Sequence, residues 1–177
     1  GNWKMHKTNQ EAVEMVEELV GLVEGVEDVD IAICAPATAL APLNGIVADT
    51  NVALGAENMY WEEEGAYTGE ISPLMLKDVG CEYVILGHSE RRGYFGETDE
   101  DVNKKVKSAL EHDLKPIICV GESLAQREAE ETKDVVKKQV LAALDGIDKD
   151  DLEVITIAYE PLWAIGTGKS ASTEEAN

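Results

Sequence analysis

Basic residues are scarce in this 177-residue chain: 15 Lys and Arg stand against 36 Asp and Glu, for a net charge of −21. That deficit argues against nucleic acid and anionic lipid as partners, because phosphate rewards clustered positive charge. The acidity itself suits solubility or a salty cytoplasm and carries no functional message. Long apolar runs are missing too. None approaches the roughly 20 residues needed to span a bilayer, and no basic stretch followed by an apolar one marks a secretion signal at the N-terminus. Cysteine is limited to Cys34, Cys81 and Cys119. Their odd number and wide spacing point to neither a disulfide framework nor a Cys-x-x-Cys site, and a reducing cytoplasm is the expected setting. His6, His88 and His112 are too scattered to suggest zinc.

What remains is a chain that can fold. Hydrophobic residues make up 44%, enough for a core, and the length suits one domain or most of a larger one. Short apolar runs at Ile31–Cys34, Val52–Gly55, Tyr83–Leu86, Pro116–Val120 and Val154–Ala158 are apolar throughout rather than alternating. That pattern predicts strands buried on both faces of a parallel sheet. Helix-period segments lie between them. Thr8 and Glu11 form a capping box ahead of a stripe of Val13, Val16, Val20 and Val23, flanked by Met15 and Leu19. Ser72-Pro73 starts a helix that Gly80 is placed to stop. Thr98 precedes a run carrying Val102, Val106, Ala109 and Leu110, and a longer stretch with room for one break covers Leu124 to Leu144. Alternating strand and helix implies βαβ units. An open doubly wound sheet and a closed (β/α)8 barrel both satisfy that count of strands.

The first residues, Gly1-Asn2-Trp3-Lys4-Met5, read as the tail of a strand, and Ser172 with Glu175 announces a helix just before Asn177. The expectation is a chain clipped at both ends.

Parallel α/β sheets gather their chemistry at the carboxyl ends of strands. There stand Asn2 and Lys4, then Gly87-His88-Ser89-Glu90-Arg91-Arg92, then Tyr159-Glu160-Pro161. A carboxylate, an imidazole and an ammonium on one rim suit proton transfer beside a carbonyl. Singly, each has a plainer reading. His88 serves as a structural hydrogen-bonder, Glu160 as a cap or surface pair, Lys4 as a solvated side chain, Glu90 with Arg92 as an ion pair, and Glu62-Glu63-Glu64 as a solvated loop. Their convergence favours chemistry. The segment Gly166-Thr167-Gly168-Lys169-Ser170-Ala171 ends like a P-loop, but Trp163 occupies the position where that motif requires glycine. It also fits a weak dinucleotide pattern. A mobile loop is the better reading, with Pro161 and Trp163 as its stiff approach and glycine N–H groups able to meet an anion.

Three segments carry a resemblance: Asn2-Trp3-Lys4-Met5, Gly87 to Arg92, and Ala158 to Lys169. With Gly65 to Ser72 and Cys119-Val120-Gly121-Glu122 they closely resemble the triosephosphate isomerase family, in order and over essentially the whole chain. The resemblance implies a (β/α)8 barrel, here a single partial domain over residues 1–177. It would run from the end of strand one through strand six and the start of helix six, with strands seven and eight absent. It implies an isomerase that interconverts dihydroxyacetone phosphate and D-glyceraldehyde 3-phosphate through an enediolate, in glycolysis and gluconeogenesis. Glu160 would be the base, His88 the neutral electrophile, Lys4 the positive charge and Asn2 a hydrogen-bonder near the reacting oxygens. Glu90 would support the site, and Ser89 would hold the base when the lid is open. Pro161, Trp163, Gly166, Thr167, Gly168 and Lys169 would belong to the lid, with the Gly166 N–H on phosphate. Thr68 would sit on a loop inserted into a partner subunit, making the full-length protein a homodimer. Neither a metal nor an organic cofactor is implied. Glu57 stands where many relatives have Gln. Two alternatives remain: a non-catalytic barrel fragment lacking its phosphate grip, and a nucleotide-binding module built on Gly166–Ala171.

Overall fold

The structure, a computed structural model, describes residues 1–165. It divides into two compact units: Gly1–Ile85 with Lys107–Pro116, and Leu86–Val106 with the residues from Ile117 onward. All strand pairings given by the structure are parallel, and strand order in the sheet follows the chain.

In the first unit the elements are α1 (Asn9–Leu22), β1 (Ile31–Ala35), α2 (Ala37–Val47), β2 (Val52–Ala56), α3 (Pro73–Asp78) and β3 (Tyr83–Leu86, whose last residue belongs to the second unit). β1 pairs with β2 from Ile31↔Val52 to Ala35↔Ala56, and β2 continues to β3 at Gly55↔Tyr83. Gly1–Trp3 lies along β1, with the Cys34 N–H donating to the Gly1 carbonyl and the Trp3 N–H to the Cys34 carbonyl. The start of the chain is thus strand-like, as its sequence predicts. Glu11 caps α1 by receiving both the Thr8 N–H and the Thr8 hydroxyl. The buried face of α1 centres on Ala12 and Val16, while Met15 is exposed. Val16 of the valine repeat is fully buried and Val13, Val20 and Val23 are half-buried, and small Ala12 joins that face and permits close approach. Ser72 caps α3 by accepting the Met75 N–H.

α2 has no clear signal in the sequence, because Pro42 and Gly45 interrupt it. It forms because Ala39, Leu40, Leu43 and Val47 are buried on one face, and that burial outweighs the local cost of the proline. The loop at 57–72 is held by Tyr60 stacked on Trp61 and tilted against Tyr67, and by the Ser108 hydroxyl donating to the Trp61 carbonyl at 2.9 Å. Glu62, Glu63 and Glu64 are exposed, yet Glu63 also reaches His112 Nε2 at 3.1 Å.

The second unit contains α4 (Ser89–Phe95), most of α5 (Asp99–Glu111), most of β4 (Lys115–Val120), α6 (Leu124–Glu128), α7 (Thr132–Ala143) and β5 (Thr156–Tyr159). β5 pairs with β4 from Ile117↔Thr156 to Val120↔Tyr159. The helical stretch breaks once, between α6 and α7. β5 begins two residues later than the apolar run at Val154 suggests. Lys149–Val154 instead winds into a 3-10 turn, and the alternatives look alike in a short apolar run. All three cysteines are buried. Burial pushes the Cys34 thiol up to about 11 and the Cys81 thiol up to about 12.

Candidate active site

The site in the second unit begins where β3 ends. Gly87 has φ +71°, and a side chain there would press on the Arg92 guanidinium and on Val102, both at 2.9 Å. Only glycine meets both demands. Its N–H donates to Glu97 Oε2 at 3.1 Å, and its carbonyl accepts from Arg92 Nε at 2.7 Å. Glu97 in turn pairs with buried Lys105 and lies 3.5 Å from Arg91 Nε. The turn that presents the next residue, His88, is therefore pinned through both of its polar groups. Arg92 pairs with Asp99 at 2.6 Å, where the plain reading of the sequence paired it with Glu90, whose carboxylate lies 3.5 Å from His88 Nδ1. Residues two apart do not face each other on a helix, and Glu90 and Arg92 both lie on α4.

His88 is the N-cap of α4 and is 5% exposed. Its Nδ1 accepts the Glu90 N–H at 3.2 Å and lies 3.5 Å from the Glu90 carboxylate. Its Nε2 lies 2.7 Å from Glu160 Oε1. Two facing acceptors cannot share that distance, so Nε2 carries a hydrogen and donates it. Nδ1 receives a donor and carries none. The hydrogen bonds thus describe a neutral imidazole, held in one tautomer by the first turn of α4.

Glu160 follows β5. Its N–H donates to the Val120 carbonyl at 2.7 Å, and its Oε2 accepts the Ser89 N–H at 3.2 Å. Burial is the strongest influence on its carboxyl and raises the pKa. The hydrogen bond from His88, followed by the Ser89 N–H and the Cys119 thiol, outweighs it and holds the carboxyl below its ordinary 4.5. A cleft of about 280 Å³ adjoins the carboxylate, lined in part by Ser89, Cys119, Gly121 and Leu162. A partly buried, ionised carboxylate beside an imidazole N–H donor is chemically able to move a proton next to a carbonyl.

Beyond Glu160 the chain turns through residues 162–165. Glu122, buried after β4, anchors that turn. It accepts from Trp163 Nε1 at 3.0 Å and from the Tyr159 hydroxyl at 3.0 Å, with Arg127 Nη1 at 3.4 Å. The Arg127 guanidinium also covers the Trp163 ring at 4.4 Å. Burial pushes the Glu122 carboxyl up most, but the donors, led by Trp163, bring it below 4.5. The sequence marks Glu122 only as part of a motif. A charged residue right after a fully apolar strand was the available signal.

Both depressed carboxyls make stability acid-sensitive. Their contribution is fully present above the unfolded value near 4.5 and is lost as pH falls through the lower folded value. Urea unfolding should therefore show a falling midpoint below about pH 4.5. Glu122→Gln should cost about 2 kcal/mol at pH 7 and flatten part of that slope. An unchanged slope would show that Glu122 is not among the groups responsible.

Asn2 and Lys4 belong to the first unit. Asn2 bridges to Cys34 of β1, and its Oδ1 accepts the Lys4 N–H at 2.9 Å. Lys4 holds φ 55°, a left-handed conformation that costs a non-glycine residue about 1–2 kcal/mol and that clusters at functional sites. Nothing in the sequence marks that strain. Thr68 is exposed on the 57–72 loop of the first unit. Gly166, Thr167, Gly168 and Lys169, with Ser170 and Ala171, lie outside the described residues, as does the Ser172–Glu175 helix signal. Among the described residues no group of three or more His, Cys, Asp or Glu is placed to hold a metal ion, and no helix is long and apolar enough to cross a membrane.

A family model described as Triosephosphate isomerase matches residues 1–177. The chain belongs to the triosephosphate isomerase family. The triosephosphate isomerase of Caldanaerobacter subterraneus subsp. tengcongensis is 58% identical over all 177 residues, which span 71% of that relative. The triosephosphate isomerase of Alkaliphilus oremlandii is 57% identical over 176 residues, 99% of this chain and 71% of its own length. The crystal structure of triosephosphate isomerase from Bartonella henselae matches with a TM-score of 0.86 at 37% identity, covering 92% of this chain and 67% of that one. That likeness decides between the two sheet architectures left open by strand count. The fold is the (β/α)8 barrel of the triosephosphate isomerase family, of which this chain carries an incomplete set of strands.

Proposed function

We propose that this chain carries the proton-transfer machinery of a triosephosphate isomerase, which interconverts dihydroxyacetone phosphate and D-glyceraldehyde 3-phosphate through an enediolate. The reaction serves glycolysis and gluconeogenesis. The observation that carries the reading is the 2.7 Å contact between Glu160 and a neutral His88 whose Nδ1 accepts a backbone N–H. Triosephosphate isomerase is itself the usual illustration of a catalytic histidine kept neutral at a helix N-terminus.

Glu160 removes a proton from one substrate carbon and returns it to the neighbouring one. His88 Nε2–H donates to the carbonyl oxygen and then to the enediolate oxygens, which become its acceptors once Glu160 turns to the substrate. Lys4 supplies positive charge to the enediolate and the phosphate, and Asn2 hydrogen-bonds beside it. The Ser89 N–H parks the base between turnovers, and Glu90 supports the imidazole through its N–H. Pro161 and Trp163 stand where the family's lid begins, and the lid assignments at Gly166, Thr167, Gly168 and Lys169 lie outside the described residues. A closed lid keeps water from the enediolate. Thr68 lies at the contact between two copies of the chain in a cytoplasmic homodimer. The substrate is a small phosphorylated triose, and the reaction needs no cofactor. Residues 1–177 form one partial (β/α)8 domain, short of strands seven and eight.

The test is turnover of glyceraldehyde 3-phosphate by the natural protein. His88→Gln should lower kcat by about 100-fold with the fold intact. Full turnover in that folded variant would overturn the assignment. The nucleotide-binding alternative is not favoured, since the family match accounts for the whole chain.

A further inference from the structure

Gly121 lies between β4 and Glu122, and its two polar groups go to one side chain. Its N–H donates to Gln139 Oε1 at 2.8 Å, and its carbonyl accepts from Gln139 Nε2 at 3.3 Å. Gln139 sits on α7, half-buried. Its carboxamide has the donor and acceptor of a peptide group, so it meets Gly121 as a neighbouring strand would. The residues on either side of Gly121 bond toward the Glu160 segment instead. The Val120 carbonyl accepts the Glu160 N–H at 2.7 Å, and the Glu122 carbonyl accepts the Leu162 N–H at 3.2 Å. Gly121 is thus fixed on one side by Gln139 and packed on the other against the main chain of Glu160. A Cβ on Gly121 would overlap the Glu160 carbonyl oxygen and lie 2.7 Å from its carbon.

We propose that Gln139 is a positioning residue for the base, acting through Gly121: its carboxamide clamps the Gly121 backbone, against which the Glu160 main chain is seated. The inference rests on the reading of Glu160 as the base. Without the clamp, Gly121 is free to shift, and the Glu160 carboxylate loses its register with His88 Nε2 and the Ser89 N–H. Proton transfer is sensitive to such displacements, since a misplacement of about 1 Å costs on the order of 100-fold.

The experiment compares Gln139→Met and Gln139→Glu with the natural protein, taking kcat and KM per folded molecule and the pH profile of kcat/KM. Gln139→Met keeps the length of the side chain and removes both hydrogen bonds. It should lower kcat about tenfold, leave KM within about twofold, and move the acid limb of the profile upward as Glu160 loses its donors. Gln139→Glu keeps the acceptor for the Gly121 N–H and loses the donor, so its kcat should fall between the two; it also serves as the test if Gln139→Met does not fold. Unchanged kcat per folded molecule, with only thermal stability reduced, would overturn the proposal and leave Gln139 a purely structural residue. Glu160→Gln is assayed alongside. If it retains full turnover, the base assignment fails and the proposal with it. If it is inactive while the Gln139 variants match the natural protein, the proposal alone fails.

Discussion

Glu160→Gln should lower kcat/KM of the natural protein by about 1,000-fold, the middle of the range for a positioned general base. The amide cannot accept the substrate proton, yet it fills the same space. Its carbonyl oxygen can still take the Ser89 N–H at the place where Oε2 now sits, 3.2 Å away. Folding should therefore survive, and circular dichroism with thermal melting checks that directly. Substrate affinity should change little, because the loss falls on the transition state rather than on binding. The variant also removes a carboxyl whose pKa is depressed in the fold. Its melting temperature should consequently depend less on pH below about 4.5 than that of the natural protein. Turnover within tenfold of the natural protein would remove Glu160 from the mechanism.

Gly121→Ala should be nearly as damaging, although it adds only a methyl group and touches no substrate. The methyl carbon has no room beside the Glu160 main chain, and the Leu162 side chain closes the remaining space at 3.1 Å. Relief requires moving either the end of β4 or the backbone that carries the base. A shift of about 1 Å at the base corresponds to roughly 100-fold in rate, and such overpacking costs about 1–3 kcal/mol of stability. The two effects are separable: kcat per folded molecule reads the first, urea unfolding the second. A variant with normal kcat and normal stability would mean that the segment after β5 yields without cost.

The strands were legible because four of the five apolar runs belong to strands with two or more buried residues, and such runs need no alternation to be seen. α2 was hidden by Pro42 and Gly45, whose local signals oppose the burial that holds the helix. No helix was predicted over Ser89–Phe95, since His88 caps α4 through a ring nitrogen rather than through one of the usual capping side chains. In the site, the placement of His88 and Glu160 after strands followed from the alternation of elements, and the family resemblance supplied their roles. Gln139 was not visible at all. It lies beside exposed Lys137 and Lys138 on α7, and its partner is a main-chain group 18 residues away. No pattern of residue types records a side chain that stands in for a strand.

The buried cysteines give the molecule built-in reporters of opening. With thiols raised to about 11 and about 12 by burial, Cys34 and Cys81 hold almost no thiolate at neutral pH, and an alkylating reagent reacts with thiolate. Labelling must wait until the surrounding structure opens. Cys34 and Cys81 belong to the first unit and buried Cys119 to the second, so mass spectrometry of the labelled peptides times the unfastening of each unit separately, without a probe being introduced.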